Sequence, residues 1–125
     1  MSITPLQAVR ASLQAYVDKD RAAIEALLAD DFRFTSPIDN ALDRATYFER
    51  CWPNSGSIQS FSIVHEAENG EHAFVVYEAT TASKRFRNSE MHTCRGGRIV
   101  SVEVYFGWDL PHPAAPGRFV DSGGA

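Results

Sequence analysis

The chain contains 125 residues, of which 44% are hydrophobic and 22% are charged, and its formal net charge is -4. This length and composition are typical of one globular domain with a substantial core. Because it has no Lys/Arg cluster and no apolar run of about 18 residues, we expect neither a nucleic-acid-binding protein nor a membrane protein.

The N-terminal residues, Met1 to Pro5, lack the basic and apolar segments of a secretory signal. The two cysteines, Cys51 and Cys94, lie far apart in the sequence and form no C-x-x-C motif. A cytoplasmic protein with reduced thiols is therefore expected.

Three helices are predicted in the first half of the chain. Thr4 and Gln7 can form a capping box around Pro5, which suits the first helical position. Asp20 and Asp43 are placed to cap a second and a third helix. Apolar residues recur at helical spacing in all three; they are Leu6, Val9, Leu13, Tyr16 and Val17, then Ile24, Leu27 and Leu28, then Tyr47, Phe48, Cys51 and Trp52.

Strands are predicted where the apolar period changes to two. A short strand over Phe32–Thr35 precedes Pro37, and from Ile58 the alternation continues almost to the end of the chain. Helices followed by an antiparallel meander predict an α+β fold with the helices on one face of the sheet. The turns that divide the later region into four antiparallel strands lie at Asn69-Gly70, 83–85 and 95–98.

The composition changes after Asp109. Three prolines and three glycines follow, and such a segment builds neither a helix nor a strand. We therefore predict one domain over residues 1–108 and a Pro/Gly-rich tail over 109–125, either wrapped on the body or disordered.

Two phrases of the sequence resemble a known superfamily: Leu27–Phe32 leading into Ser36-Pro37, and Gly97–Val102 leading into Tyr105-Phe106. With the order of elements over residues 4–108, they resemble the nuclear transport factor 2-like superfamily, and within it the SnoaL-like group and the ketosteroid isomerases. The resemblance implies a cone-shaped, curved antiparallel sheet packed against N-terminal helices around a pocket. It says little about activity, because this superfamily includes enzymes and binding modules alike.

The same resemblance implies a homodimer formed through the outer face of the sheet. The strand that carries Phe74 and Val75 is apolar on both faces, and one helical layer can cover only one of them. This pattern independently favours a covered outer face.

Candidate acid–base residues lie after the first strand and on the third long strand. The ketosteroid isomerases place a general base before a proline, and here that position is Ser36, whose hydroxyl is no base at neutral pH. Asp39 could be a general base or a ligand acceptor at the pocket rim, or a turn residue. His92 has a side chain suited to proton transfer, and could equally be structural or at a dimer interface.

The orientation of the third long strand decides which of its residues face the pocket. The register set by the 95–98 turn predicts that Ser89 and Met91 point inward and that Glu90 and His92 point outward, although a single bulge would reverse this. Glu90 belongs with Glu78 and Glu103 to three carboxylates on consecutive strands. Pairing with arginines across the sheet is the favoured interpretation of these carboxylates, and a catalytic cluster is the alternative.

A pocket lined by aromatic side chains with a few polar points suits a small, mainly apolar ligand. We expect no metal and no cofactor, because the histidines lack ligand spacing and no phosphate-binding loop occurs. The predicted pocket residues are Tyr16, Phe34, Ser36, Trp52, Tyr77, Ser89, Met91 and Phe106.

Two functions remain open at this point. One is a non-catalytic module that binds a small apolar ligand. The other is a cofactor-independent acid–base enzyme such as a cyclase, isomerase, dehydratase or hydrolase. A buried Asp39 or His92 beside an open pocket favours the enzyme, and a cone filled by aromatic side chains favours the module.

Overall fold

The computed structural model describes residues 3–121. Three α-helices and a short 3₁₀ turn pack against one curved, open sheet of six strands, which confirms the predicted α+β fold. The helices are α1 (Pro5–Asp18), α2 (Arg21–Leu27) and α3 (Arg44–Arg50), and the 3₁₀ turn is Trp52–Ser57. The strands are β1 (Leu28–Ser36), β2 (Asp39–Asp43), β3 (Ile58–Asn69), β4 (His72–Thr81), β5 (Arg85–Arg95) and β6 (Arg98–Leu110).

Each helix begins directly after the residue whose side chain caps it. The Thr4 hydroxyl accepts from the Gln7 amide at 3.2 Å, and the Gln7 side chain accepts from the Thr4 amide at 2.9 Å. Asp20 and Asp43 accept in the same way from amides one turn later. These bonds satisfy donors that the first helical turn leaves free, so the local sequence determines where the helices start.

The sheet order is β2-β1-β6-β5-β4-β3. The last four strands form the predicted antiparallel meander, whereas β1 lies parallel to β6. The sequence pattern does not predict strand β2, because Asp39 is expected at the pocket rim or in a turn. It is a five-residue edge strand with acidic residues at both ends, so the apolar alternation that marks longer strands is missing.

A bulge in β6 reverses the predicted orientation of β5. Cys94 pairs with Ile99 and Thr93 pairs with Ser101, so Val100 is an extra residue without a partner. Directly opposed residues of an antiparallel pair share a face of the sheet. The extra residue therefore moves every later pair by one position, and the prediction that Glu90 and His92 point outward is wrong.

Buried side chains form two groups on the concave side of the sheet. One lies between α2, α3, β1 and β6, with Phe32, Ile24 and Ile99 almost fully buried. The other lies under α1 on β4, around Val9 and Val75. Burying apolar area at about 25 cal/mol per Å² provides the main favourable free energy for this layer arrangement.

The last strand continues to Leu110, two residues beyond the predicted end of the domain. The residues from 111 to 121 form neither a helix nor a strand, and Phe119 is 87% exposed. Within residues 3–121, no helix has the length and apolarity required to cross a bilayer.

Candidate functional site

A cavity of about 220 Å³ lies between the concave face of the sheet and the helices. Ile38 and Phe106, which are 69% and 54% exposed, mark its open end. Side chains from both buried groups line its deeper part, and most of them are apolar or aromatic. The deeper apolar lining comprises Leu13, Ile24, Leu28, Phe32, Phe34, Phe61, Ile99, Val102 and Val104.

A nearly buried carboxylate, Glu90, forms the polar centre of this lining. It lies on β5 directly opposite Val104, and its side chain is 13% exposed. Tyr77 of β4 donates its hydroxyl proton to Glu90 Oε2 at 2.5 Å, and His92 Nε2 lies 2.8 Å from Glu90 Oε1. Both carboxylate oxygens are thus held by side chains that also line the cavity.

The contact with Glu90 determines which ring nitrogen of a neutral His92 imidazole carries the proton. A carboxylate that already accepts from Tyr77 can only accept again, so Nε2 of His92 carries the proton that faces it. In the neutral ring Nδ1 then keeps a free lone pair. This Nδ1 atom is buried and has no hydrogen-bond partner within residues 3–121. A ligand in the cavity therefore does not reach it, and Glu90 is the acid–base group that the pair presents to the cavity.

Two further phenols, Tyr16 of α1 and Tyr47 of α3, meet in the same cavity and share a hydrogen bond between their hydroxyls. Burial is the main cause that raises the pKa of both groups above the ordinary value of 10.0. The negative charge of Glu90 also raises the pKa of both phenols, as it does for Tyr77. All three phenols therefore stay protonated near neutral pH and can act as hydrogen-bond donors.

At the open end, Asp39 is held by its neighbours. Arg50 Nε lies 2.5 Å from Asp39 Oδ1, and the Ser36 hydroxyl donates to Asp39 Oδ2 at 2.8 Å. Desolvation raises the pKa of Asp39, but the hydrogen bonds from Arg50 and Ser36 and the charge of Arg50 outweigh it and lower the pKa below 3.8. A carboxylate neutralised in this way is a poor base, so the geometry favours a structural role for Asp39 at the rim.

A second hollow, which we call the mouth hollow, lies beside the open end of the cavity and has a volume of about 520 Å³. It shares Phe86, Asn88 and Phe106 with the cavity wall, so the two spaces are neighbours. Its outer wall contains Lys84 and Asp109.

Seven of the ten predicted site residues line the cavity. They are Asp39, His92, Tyr16, Phe34, Ser36, Tyr77 and Phe106. Ser89 and Met91 lie on the opposite face of β5 because of the Val100 bulge. Trp52 is buried behind the wall, with its ring centroid 4.9 Å from that of Tyr16. Ligand binding by any of these residues stays a prediction.

Sequence reasoning did not select Glu90 and Tyr47 for the site. The signal for Glu90 was its spacing of two residues from His92, because this spacing puts two strand side chains on one face. Tyr47 is predicted as an inner residue of the third helix and as one of several aromatic side chains that converge in this fold, but it is not among the predicted pocket residues.

Cys51 also lines the cavity, and burial raises the pKa of its thiol to about 11, so it is unsuited to act as a nucleophile. In the part of the chain that the structure describes, no three His, Cys, Asp or Glu side chains cluster as metal ligands would.

Solved structures similar to this chain share its fold at low sequence identity. An NTF2-like protein of unknown function from Cytophaga hutchinsonii ATCC 33406 is 19% identical, with 86% of this chain and 93% of that chain covered and a TM-score of 0.71. An epoxide hydrolase of the LEH-like type from M. tuberculosis is 19% identical, with 82% of each chain covered and a TM-score of 0.67. A candidate ketosteroid isomerase from Kribbella flavida DSM 17836 is 17% identical, with 92% and 86% covered and a TM-score of 0.69.

Comparison with curated protein sequences returns no match. The family model of the SnoaL-like domain, in contrast, matches residues 9–102. This match spans α1 to the middle of β6 and therefore includes the elements that build the cavity. The chain belongs to the SnoaL-like domain family of NTF2-like proteins.

Proposed function

We propose that this protein is a cofactor-independent enzyme that binds a small, mainly apolar ligand in the cavity and transfers a proton on it. The observation that carries the proposal is the Glu90 carboxylate in the wall of an open cavity, where Tyr77 and His92 hold it at 2.5 and 2.8 Å. A carboxylate that is fixed in position beside a bound ligand can act as its general base.

The cavity itself supports the class of ligand. Its volume of about 220 Å³ lies below the range of about 300–1,000 Å³ that accommodates whole drug-sized molecules. Aromatic and aliphatic side chains form most of its wall, and polar groups enter only at a few points. A compact ring with one polar atom matches this combination of size and polarity.

Proton abstraction next to a carbonyl also requires a hydrogen-bond donor for the negative charge that develops on the oxygen. The phenols supply this donor. Tyr16 and Tyr47 carry two hydroxyl protons, and their mutual hydrogen bond uses one of them. The other proton remains for a ligand oxygen. Because both phenols have a raised pKa, neither loses its proton to water near neutral pH.

In the proposed step, the C–H bond beside the ligand carbonyl breaks, and its proton goes to the Glu90 carboxylate. The electron pair moves to the carbonyl oxygen, which becomes an enolate oxygen that accepts a hydrogen bond from the Tyr16–Tyr47 pair. The Glu90 carboxyl, still held by Tyr77 and His92, then returns a proton to carbon, so no oxidant, reductant or metal enters the step.

The direct test is hydrogen–deuterium exchange at the carbons beside the carbonyl of cyclohexanone, followed by NMR in D₂O. We expect the protein to accelerate exchange over buffer, and Glu90→Gln to reduce the acceleration by a factor on the order of 10²–10⁴. His92→Gln, which removes one of the two donors that hold the carboxylate, should also reduce it. Glu103→Gln is the matched control, because Glu103 accepts from Tyr105 at 2.8 Å on an exposed part of β6.

A wild-type rate equal to that of buffer, with cyclohexanone nevertheless bound, would instead support a non-catalytic binding module. Cyclohexene oxide extends the test to attack by water, the chemistry that the name of the M. tuberculosis neighbour describes. Hydrolysis of this epoxide that depends on Glu90 would keep the proposed base and change only its substrate.

A further inference from the structure

The cavity and the mouth hollow lie side by side and share part of their walls, and the remaining parts of the walls differ in character. The inner part is mostly apolar and encloses the Glu90–His92 pair, whereas the mouth hollow adds Ser57, Thr81 and Lys84 to its aromatic wall. The inner volume alone is below the size of common ligand sites, and the two volumes together fall inside that range of about 300–1,000 Å³.

We infer that the natural ligand is bipartite, with a compact head in the cavity and a flat, uncharged extension, bearing a hydroxyl or amide, in the mouth hollow. This inference rests on the proposed function for the location of the head. It adds the size, shape and charge of the remainder of the molecule.

The flat shape follows from the aromatic groups at the mouth. Phe106 is 54% exposed, and Phe86 continues the aromatic surface into the cavity. Exposed aromatic rings beside an open site gain most from a ring that stacks on them and removes them from water.

The absence of charge follows from the ion pair at the mouth. Lys84 Nζ lies 3.9 Å from Asp109 Oδ1, and the two side chains are 58% and 65% exposed. The lysine also lies 5.4 Å from the centroid of the Phe86 ring. One cation and one anion that already compensate each other offer no net attraction to a charged group. The hydroxyl and amide side chains of the wall can still bind a neutral polar atom.

A series of three ketones tests the inference: cyclohexanone, 4-phenylcyclohexanone and 4-(4-hydroxyphenyl)cyclohexanone. All carry the same head, so differences in Kd report on the extension. We expect the phenyl compound to bind at least tenfold more tightly than cyclohexanone. A tenfold change in Kd corresponds to about 1.4 kcal/mol, and burial of roughly 60 Å² of apolar surface by the phenyl ring provides that free energy. The hydroxyphenyl compound should bind at least as tightly.

Two variants locate the extension. Ser57→Phe, which narrows the mouth hollow, should remove the tenfold ratio between the Kd values of cyclohexanone and the phenyl ketone. Ser62→Phe, on the exposed part of β3 outside both hollows, should leave this ratio intact.

The outcomes separate this inference from the proposed function. Equal Kd values for cyclohexanone and the phenyl ketone, or a gain that survives Ser57→Phe, would overturn the bipartite ligand and leave proton transfer untouched. A gain that Ser57→Phe removes, without deuterium exchange in any ketone, would support the bipartite ligand and contradict the enzyme. Failure of all three ketones to bind would overturn both.

Discussion

Tyr77 donates a hydrogen bond of 2.5 Å to Glu90, diagonally across two neighbouring strands, because Tyr77 itself pairs with Asn88. Diagonal neighbours on one face of a sheet are within reach of long side chains. The bond holds Oε2 of the carboxylate, and His92 holds Oε1. The orientation of the proposed base therefore depends on a residue of a different strand.

Tyr77→Phe tests this dependence. The change removes one hydroxyl from a nearly buried carboxylate, and a hydrogen bond to a charged group is worth about 1.5–3 kcal/mol. We expect the unfolding free energy from urea denaturation to fall by an amount of that order and deuterium exchange to slow. Tyr105→Phe is the control, since it removes the same type of bond, 2.8 Å to Glu103, from a residue that is 55% exposed. Equal losses in the two variants would contradict the prediction.

Gly107→Ala should destabilise the fold. Gly107 is the extra residue of a second bulge in β6, where Arg87 pairs with Trp108 and Asn88 with Phe106. A Cβ atom on Gly107 would lie 2.1 Å from the Arg87 carbonyl oxygen, so the backbone must move. Overpacking of this kind costs about 1–3 kcal/mol, which thermal and urea unfolding can measure. At Gly56 an added Cβ meets no atom within 4 Å, so Gly56→Ala should leave stability almost unchanged.

Asp39 predicts a pH dependence of stability with a definite sign. Its pKa in the folded protein lies below the ordinary 3.8, so the unfolded chain binds this proton more readily. The contribution of Asp39 to the free energy of unfolding is complete at a pH well above 3.8, and it is lost as the pH falls through the pKa of Asp39 in the folded protein. Asp39→Asn should therefore lower the melting temperature at neutral pH and have a shrinking effect below about pH 4. Asp109→Asn, in an exposed ion pair, serves as the control, and a pH-independent effect of Asp39→Asn would count against this account.

We propose a homodimer formed through the outer face of the sheet. Two cross-strand pairs on this face contain apolar side chains: Phe74 lies opposite Met91, and Val76 lies opposite Ser89. Tyr105 of β6 lies on the other side of Ser89. Phe74 and Tyr105 are 41% and 55% exposed in the single chain. Sedimentation velocity at micromolar concentration should give a dimer that Phe74→Lys dissociates. Phe119→Lys, in the exposed tail, should leave it intact, and a monomeric wild type would refute the proposal.

Local chemistry explains why much of the fold could be predicted. A capping side chain such as Thr4 or Asp43 acts within one helical turn, and the Asn69-Gly70 turn acts within one hairpin, so neighbouring residues contain the necessary information. Strand β2 could not be predicted in this way, because its pairing with β1 depends on a chain reversal that its own five residues do not encode.

The candidate site was predictable only in part, for a similar reason. Tyr16, Tyr77 and Phe106 belong to apolar patterns that identify an inner face, and they line the cavity. The direction of Glu90 and His92 depends on the pairing of β5 with β6, and nothing in the alternation distinguishes Val100 from its apolar neighbours. An unpaired residue in a strand can be identified only from the pairing with the neighbouring strand.

The Val100 bulge makes the chemistry of this domain a matter of strand length as well as residue identity. Every functional side chain of β5 could be retained while one codon is deleted from the β5–β6 hairpin, and the carboxylate and imidazole would then be presented to the outside of the cone. A shift of one residue restores the backbone pairing, but it moves every side chain of β5 to the other face of the sheet. Among relatives of similar architecture, small insertions and deletions near this hairpin are therefore an economical route by which a reactive pocket and an inert one could arise from nearly the same sequence.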